Sequence, residues 1–377
     1  MNILLLGEYS RLHNSLKEGL LKLGHHVVVQ GFNDGFKAYP VDLLFEKKWD
    51  RGFRKKLKIA IYMVSGFDIS SYLTYRQFLA NKSQFEGYDV VQLINENSFF
   101  CDPYYEKKIL SHLFEKNKKV FLLSCGDDYS NVKYGFGNPE FKSGIIPYLE
   151  GKIAPKDFQN VLKYRKESFQ QLHAFLMERI AGIIASDLDY DIPLRNNPKY
   201  LGLIPNPINT EEIPFNPLLI EDKIIIFLGI NTESYLKKGC DYFEKALAII
   251  AEKYPEKVEI IVTRNMPYQE YIVLNNKAHI LLDMTYANDQ GYNALEAMAK
   301  GKVVFTGAED EFETYYQLTE SVAINAKPDV PYLVEKLSFL IENPQAIVTI
   351  GENARRFIEK EHNYCTTSEK YLRTWNM

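Results

Sequence analysis

Short apolar stretches alternate with helix-period segments along this chain, and the alternation breaks once and then starts again. Before the break the stretches are 3–6, 27–29, 90–94, 120–123 and 182–185; after it they are 223–228, 258–262, 278–282 and 303–306, with a helical segment at 240–253. Strands that are apolar along their whole length belong in parallel sheets covered by helices on both faces. The break is Ile204-Pro-Asn-Pro-Ile-Asn-Thr-Glu-Glu-Ile-Pro-Phe-Asn-Pro217, a proline density that no helix interior or central strand tolerates. An α/β chain of two doubly wound domains facing across a cleft is expected, and 377 residues suit two cores better than one.

Four cysteines, Cys101, Cys125, Cys240 and Cys365, have neither Cys-x-x-Cys nor Cys/His spacing, so no zinc site or disulfide framework is expected and a reducing cytoplasm fits. The opening Met1-Asn-Ile-Leu-Leu-Leu-Gly-Glu lacks a basic flank and reads as a buried first strand, and no apolar run reaches the ~20 residues of a membrane span. Charge is uneven, about +5 over residues 1–210 and about −9 over the rest. One source is Lys47-Lys-Trp-Asp-Arg-Gly-Phe-Arg-Lys-Lys-Leu-Lys58, which interleaves cations with Trp49, Phe53 and Leu57 at helical spacing. The pattern suits a segment lying on an anionic membrane surface, and equally a surface helix packing one apolar stripe on its own domain. An acidic whole without a recognised module argues against nucleic acid.

The richest functional segment is Tyr286-Ala-Asn-Asp-Gln-Gly-Tyr-Asn-Ala-Leu-Glu-Ala-Met-Ala-Lys-Gly-Lys-Val-Val-Phe-Thr306, a polar loop leading into a helix and then a buried strand. Gly291 lets backbone approach a ligand, the helix N-terminus favours an anion, and Glu296 can accept hydrogen bonds from a neutral part of the same ligand. Asn288, Asp289, Gln290 and Asn293 read either as ligand contacts or as an Asx turn and helix cap.

This loop and the following Leu-Glu-Ala-Met-Ala-x-Gly-x-Val-Val resemble the donor-binding signature of the retaining GT-B glycosyltransferases of family 4 (group 1). The resemblance implies the GT-B fold, with two Rossmann-like domains: an acceptor-side domain at 1–207, a donor domain at 208–365, and a last helix at about 366–377 crossing back to the first. Glu296 matches the glutamate that holds the ribose hydroxyls of a nucleotide sugar, while Asn288 stands where the family has a glutamate touching the donor sugar, with Asp289 beside it. Gln290, Gly291, Tyr292 and Asn293 complete the implied donor loop.

Lys237-Lys238-Gly239 lies between an apolar run and a helix, where an ammonium can meet a diphosphate; by resemblance Lys238 matches the family's phosphate lysine. The family's arginine after the strand is absent, Ile230-Asn231 standing there, and Lys237 is the candidate to compensate. The first loop, with Gly7, Ser10, Arg11 and His13, corresponds to the family's loop beside phosphates and acceptor. Asp127 and Asp128 end the stretch 120–123, near where the family often carries a histidine, and could orient an acceptor hydroxyl or stabilise an oxocarbenium-like centre.

A competing motif is Asp187-Leu-Asp189-Tyr-Asp191, the Asp-x-Asp pattern that metal-dependent GT-A enzymes use, but it falls just before the break. Gly135-Phe-Gly137 lacks the third glycine of a dinucleotide fingerprint, so no nicotinamide cofactor is expected. The resemblance thus implies a metal-independent retaining glycosyltransferase (EC 2.4 class) with no cofactor, moving a sugar from a nucleoside-diphosphate-sugar to a glycan or lipid-linked hydroxyl acceptor. Surface polysaccharide, lipopolysaccharide or glycolipid synthesis is the expected setting, in the cytoplasm or peripheral on the inner face of the membrane. A GT-B-like sugar-nucleotide epimerase and a non-catalytic nucleotide- or sugar-binding protein are the alternatives.

Overall fold

The computed structural model describes residues 1–32 and 39–377. Seven strands come from the chain before residue 204: β1 Asn2–Leu6, β2 His26–Phe32, β3 Leu43–Phe45, β4 Val90–Leu93, β5 Lys119–Ser124, β6 Gly182–Ala185 and β7 Tyr200–Leu203. They form one sheet in the order β3-β2-β1-β4-β5-β6-β7, every pair parallel. Five more, β8 Ile224–Ile230, β9 Val258–Arg264, β10 Ile280–Leu282, β11 Val303–Thr306 and β12 Ile324–Asn325, form a second parallel sheet in the order β12-β11-β10-β8-β9.

The apolar runs of the sequence become strands because both faces are covered. In β1, Ile3 and Leu5 join one buried cluster while Leu4 and Leu6 join another, the period of two that puts successive side chains on opposite faces. Each such leucine contributes about 1.5–3 kcal/mol by leaving water. The cluster containing Ile3 and Leu5 also takes in Phe227, Leu281 and Leu295 from the second half, so one apolar layer runs through both domains.

Two crossings join the domains side by side. The chain at Ile208 pairs with Asn363, the Ile208 amide donating to the His362 carbonyl at 2.7 Å and the Tyr364 amide to the Ile208 carbonyl at 3.2 Å. His362 Nδ1 then donates to the Asn206 carbonyl at 2.8 Å, and burial pushes the ring's pKa down to about 4, so it is neutral. The last helix, Tyr364–Trp375, lies against the first domain: Ser368 Oγ donates to the Leu16 carbonyl, Trp375 Nε1 donates to Gln92 Oε1 at 3.2 Å, and the Trp375 ring packs beside Phe121.

The basic segment departs from its expected form. The helix starts at Gly52 and runs to Ser65, whereas Trp49 lies outside it with a left-handed φ of 63°, so Trp49 does not share a helical face with Phe53 and Leu57. The expectation of an apolar stripe packed on its own domain is also overturned, because no residue of this helix is buried.

Candidate functional site

In open parallel sheets a ligand crevice forms at the C-terminal strand ends, where neighbouring strands send their connections to opposite faces. In the second sheet that point lies between β8 and β10. The loop after β8 carries Lys238 and the residue after β10 is Asp283; Lys238 Nζ donates to Asp283 Oδ1 at 2.9 Å, bridging the two strand ends. Asn293 Nδ2 donates to the same oxygen at 3.1 Å, and the Tyr271 hydroxyl donates to Asn293 Oδ1 at 2.8 Å. Burial works against the Lys238 ammonium, but the Asp283 charge and hydrogen bond more than offset it and hold its pKa above the usual value.

The chain is forced into this arrangement by Gly239. Its φ of 68° is left-handed, and a Cβ there would lie 2.0 Å from Thr285 Oγ1, so only glycine lets the loop close on β10. The Thr285 amide donates to the Lys238 carbonyl at 2.9 Å, locking the loop to the far side of the crevice.

Lys238, Tyr271 and Asn293 line a cleft of about 470 Å³ together with the 229–234 loop, Asn265 and, from the first domain, Ser10. The helix Tyr292–Ala299 begins at this cleft. Its N-cap is Gly291, no side chain caps it, and the space where a Gly291 Cβ would stand is open. Gly291 itself has ordinary extended backbone (φ −80°), so its value is the open approach rather than a special conformation. One turn beyond Asn293, Glu296 is half-buried beside Tyr39 and Tyr268; burial and then the Glu296 charge raise the pKa of both hydroxyls.

Most other members of the loop face the domain seam. Asn288 Nδ2 donates to the Lys142 carbonyl at 2.8 Å and to Asp189 Oδ1 at 2.7 Å, and its amide donates to the same oxygen. Asp289 is buried, accepting from its neighbour Gln290 and, across the seam, from the Leu188 amide at 3.1 Å; burial, with Asp189 and Asp191 nearby, brings its carboxyl up to about 7. Gln290 Nε2 donates to the Gly307 carbonyl, and the Tyr292 hydroxyl donates to the Pro207 carbonyl. None of these four side chains lines the 470 Å³ cleft, and none caps the helix. The helix-cap reading of Asn288, Asp289, Gln290 and Asn293 is therefore corrected: Asn288 and Asp289 bond across the seam, Gln290 bonds the Gly307 carbonyl, and Asn293 joins the Asp283 network.

Asp127 and Lys237 meet across the gap between domains at 2.7 Å and line a second hollow of about 470 Å³ together with Lys152 and Phe158. Asp128, by contrast, is buried and caps the helix Tyr129–Gly137, accepting from the Asn131 amide and the Ser124 hydroxyl; burial and then the Glu96 charge push its carboxyl up to about 7.

In the first loop, Ser10 alone of the candidate side chains reaches the cleft lined by Lys238, Tyr271 and Asn293. Gly7 has a φ of 90° and packs so closely on Ile94 that a Cβ would fall 2.2 Å from its methyl carbon. His13 is fully buried beneath it, Nδ1 donating to the Gly7 carbonyl at 2.6 Å, and burial pulls its pKa down to about 4, so it is a neutral structural histidine. Arg11 is engaged with Glu18 and Glu212. Ser10 also borders a smaller pocket of about 230 Å³ walled by Tyr9, Phe32 and Phe100, with Lys47 Nζ 4.2 Å from the Phe100 ring centre.

The Asp-x-Asp carboxylates have separate partners. Asp187 caps the helix Leu188–Leu194, Asp189 accepts from Asn288, and Asp191 accepts from Arg195 and the Tyr200 hydroxyl. Among the described residues no group of three His, Cys, Asp or Glu is arranged to hold a metal ion. Asp283 and Tyr271 were not anticipated. Asp283 was readable as the polar residue ending an apolar run, whereas Tyr271 comes from a helix, Tyr268–Lys277, whose position over the cleft no local pattern announces.

Residues 237–373 match the model of a family described as glycosyl transferase-like. A stretch of 135 residues is 27% identical to trehalose synthase of Pyrococcus horikoshii, and this match spans about a third (32%) of that relative's length and 36% of this chain. Among solved structures, the chain is similar to sucrose-phosphate synthase from Thermosynechococcus elongatus, with 14% identity over 100% of this chain and 98% of that one and a TM-score of 0.64. It is also similar to Anabaena HepE in complex with UDP and glucose (13% identity, 100% and 99% covered, TM-score 0.60) and to a glycosyltransferase from Rickettsia africae (11%, 99% and 97%, 0.53). The fold is GT-B, two parallel α/β domains across a cleft, as the sequence implied.

Proposed function

We propose that this GT-B chain is a retaining glycosyltransferase that moves a sugar from a nucleoside-diphosphate-sugar to a hydroxyl of a glycan or lipid-linked acceptor, in surface polysaccharide, lipopolysaccharide or glycolipid synthesis. The observation that carries the reading is the Lys238–Asp283–Asn293 network at the strand ends of β8 and β10, beside the uncapped start of the helix Tyr292–Ala299. Breaking the bond between the anomeric carbon and phosphate leaves negative charge on the departing diphosphate. Lys238 and the helix N-terminus stabilise that charge as it forms, and Asp283 fixes the ammonium beforehand, so little reorganisation is needed.

Glu296 holds the ribose hydroxyls from one turn further along the helix. Asp127 and Lys237, facing each other across the domains, are the charged pair we assign to orienting the acceptor. With Asn288 committed to Asp189, the contact to the donor sugar falls to cleft residues such as Asn293 rather than to the loop position where the family has its first glutamate. The positive groups of the cleft serve in place of a divalent cation, so transfer proceeds with chelator present. The place of work is the cytoplasm, against the inner face of a membrane.

Thermal denaturation with a panel of nucleoside diphosphates and their sugar conjugates, in chelator, tests the donor site. Saturation at about 100 times Kd adds ~2.7 kcal/mol of stability. The expected result is a rise with one base that falls away in Lys238→Ala, whose lost charge-assisted bond corresponds to roughly 10–100-fold in affinity. A rise only with manganese or magnesium, or none with any nucleotide, would sink the reading. Conversion of the donor with no acceptor present would identify an epimerase, and binding without turnover a non-catalytic protein.

A further inference from the structure

We infer that the helix Gly52–Ser65 is a docking element that lies in the surface of an anionic lipid bilayer. Three observations carry this. First, the helix is open to solvent along most of its length: none of its 14 residues is buried, and Phe53, Met63 and Val64 are 78%, 81% and 91% exposed. A soluble domain rarely leaves so contiguous an apolar patch in water.

Second, five of the apolar residues share one stripe, while Ile59 and Tyr62 lie on the opposite face. Phe53, Leu57, Ala60, Ile61 and Val64 recur at steps of four, three, one and three, which gathers them within about 100° of arc on a 3.6-residue helix. Arg54 and Lys58 border this stripe on one side and Lys56 on the other, as a helix half-sunk in the headgroup layer requires.

Third, the charge complements lipid headgroups. Lys47, Lys48, Arg51, Arg54, Lys55, Lys56 and Lys58 are opposed by one carboxylate in this stretch, Asp50, which pairs with Lys58 at 3.0 Å. A second copy of the chain is the poorer occupant, since a two-fold contact through the stripe would set these cations against their own copies. Glycines at both ends, Gly52 with φ 59° and Gly66 with φ 68°, make the joints where the helix leaves the domain body.

On the transferase reading, docking has a consequence for the acceptor. Lys47, in the wall of the aromatic pocket that adjoins the donor-side cleft at Ser10, is five residues from the helix start, so at most about 17 Å of chain separates them. A docked enzyme thus keeps that pocket close to the bilayer surface, within reach of an acceptor carried on lipid. This consequence rests on the transferase reading; the docking does not, and it is tested without any nucleotide or turnover.

The full chain is sedimented with vesicles of phosphatidylcholine alone and with phosphatidylcholine carrying about 30% phosphatidylglycerol. Binding to the anionic vesicles only, weakened by added salt, is expected. Each surface cation is worth about a factor of five in partitioning, so Arg51→Ala/Arg54→Ala/Lys55→Ala/Lys56→Ala should bind roughly 100-fold more weakly or worse. Phe53→Ser/Val64→Ser should also lower binding, and should abolish what remains at high salt. Unchanged cooperative thermal unfolding identifies both variants as folded, as expected for exposed substitutions. Wild-type protein staying in solution with anionic vesicles overturns the proposal, as does wild-type binding by the charge variant. Self-association that disappears in Phe53→Ser/Val64→Ser, without vesicle binding, overturns it in favour of a second copy.

Discussion

At the scale of single residues, environment rather than identity separates the charged groups. Asp127 and Asp128 are adjacent, yet one reaches across the domain gap to Lys237 while the other is sealed beneath β5 as a helix cap. Lys237 and Lys238 are likewise adjacent, and only Lys238 reaches the β8/β10 crevice. Residue types pointed to these positions; direction did not, because it depends on which neighbour's backbone turns. Asp128 makes a pH prediction. Its folded pKa of about 7 lies above an ordinary carboxyl near 3.8, so its favourable contribution is complete below about 3.8 and is lost as pH rises through about 7. Asp128→Asn keeps an oxygen for the cap and cannot ionise. Denaturant titrations should therefore show wild type losing stability relative to Asp128→Asn between pH 4 and 7, by a few kcal/mol at most; parallel pH profiles would mean that the carboxyl titrates normally.

At the scale of elements, the turns that build the site are set by backbone demands. In Lys-Lys-Gly the glycine is the indispensable member: it supplies a left-handed residue and leaves room for Thr285, and so places Lys238 opposite Asp283. Gly239→Ala should cost at least about 1–3 kcal/mol of stability and weaken nucleotide binding by displacing Lys238. Gly24→Ala is the control, since its φ of 82° is also left-handed but nothing lies within 4 Å of its Cβ. Equal losses in the two, read by chemical denaturation, would remove crowding by Thr285 from the account. The helix Gly52–Ser65 teaches the complementary lesson. Its period was legible in Phe53 and Leu57, but whether that stripe met protein or solvent was not, because periodicity records a face and not what covers it. Trp49 was misplaced for a local reason: with φ 63° it belongs to the turn before the helix.

At the scale of the whole molecule, two domains are tied by the paired crossings at Ile208 and Asn363 and by the last helix, whose Trp375 fills the first domain beside Phe121 and Tyr371. Trp375→Ala should destabilise by about 3–5 kcal/mol, the range for emptying a large aromatic site, and should free the last helix to exchange its amide hydrogens early. Native-like protection there would show that the helix holds by its other contacts. The apolar runs and the proline-dense break determined two parallel sheets by themselves, because strand burial on both faces and proline's missing N–H are local properties. The loop-helix-strand signature likewise marked the segment that borders the β8/β10 crevice. Tertiary structure alone decided that Asn288, Asp289 and Tyr292 would seal the domain seam while Asn293 faced the cleft with Asp283 and Tyr271. Those roles depend on hydrogen-bond partners as far as 146 residues away (Asn288 to Lys142, and also Asn288 to Asp189 and Asp289 to Leu188), and no local pattern encodes where such partners arrive.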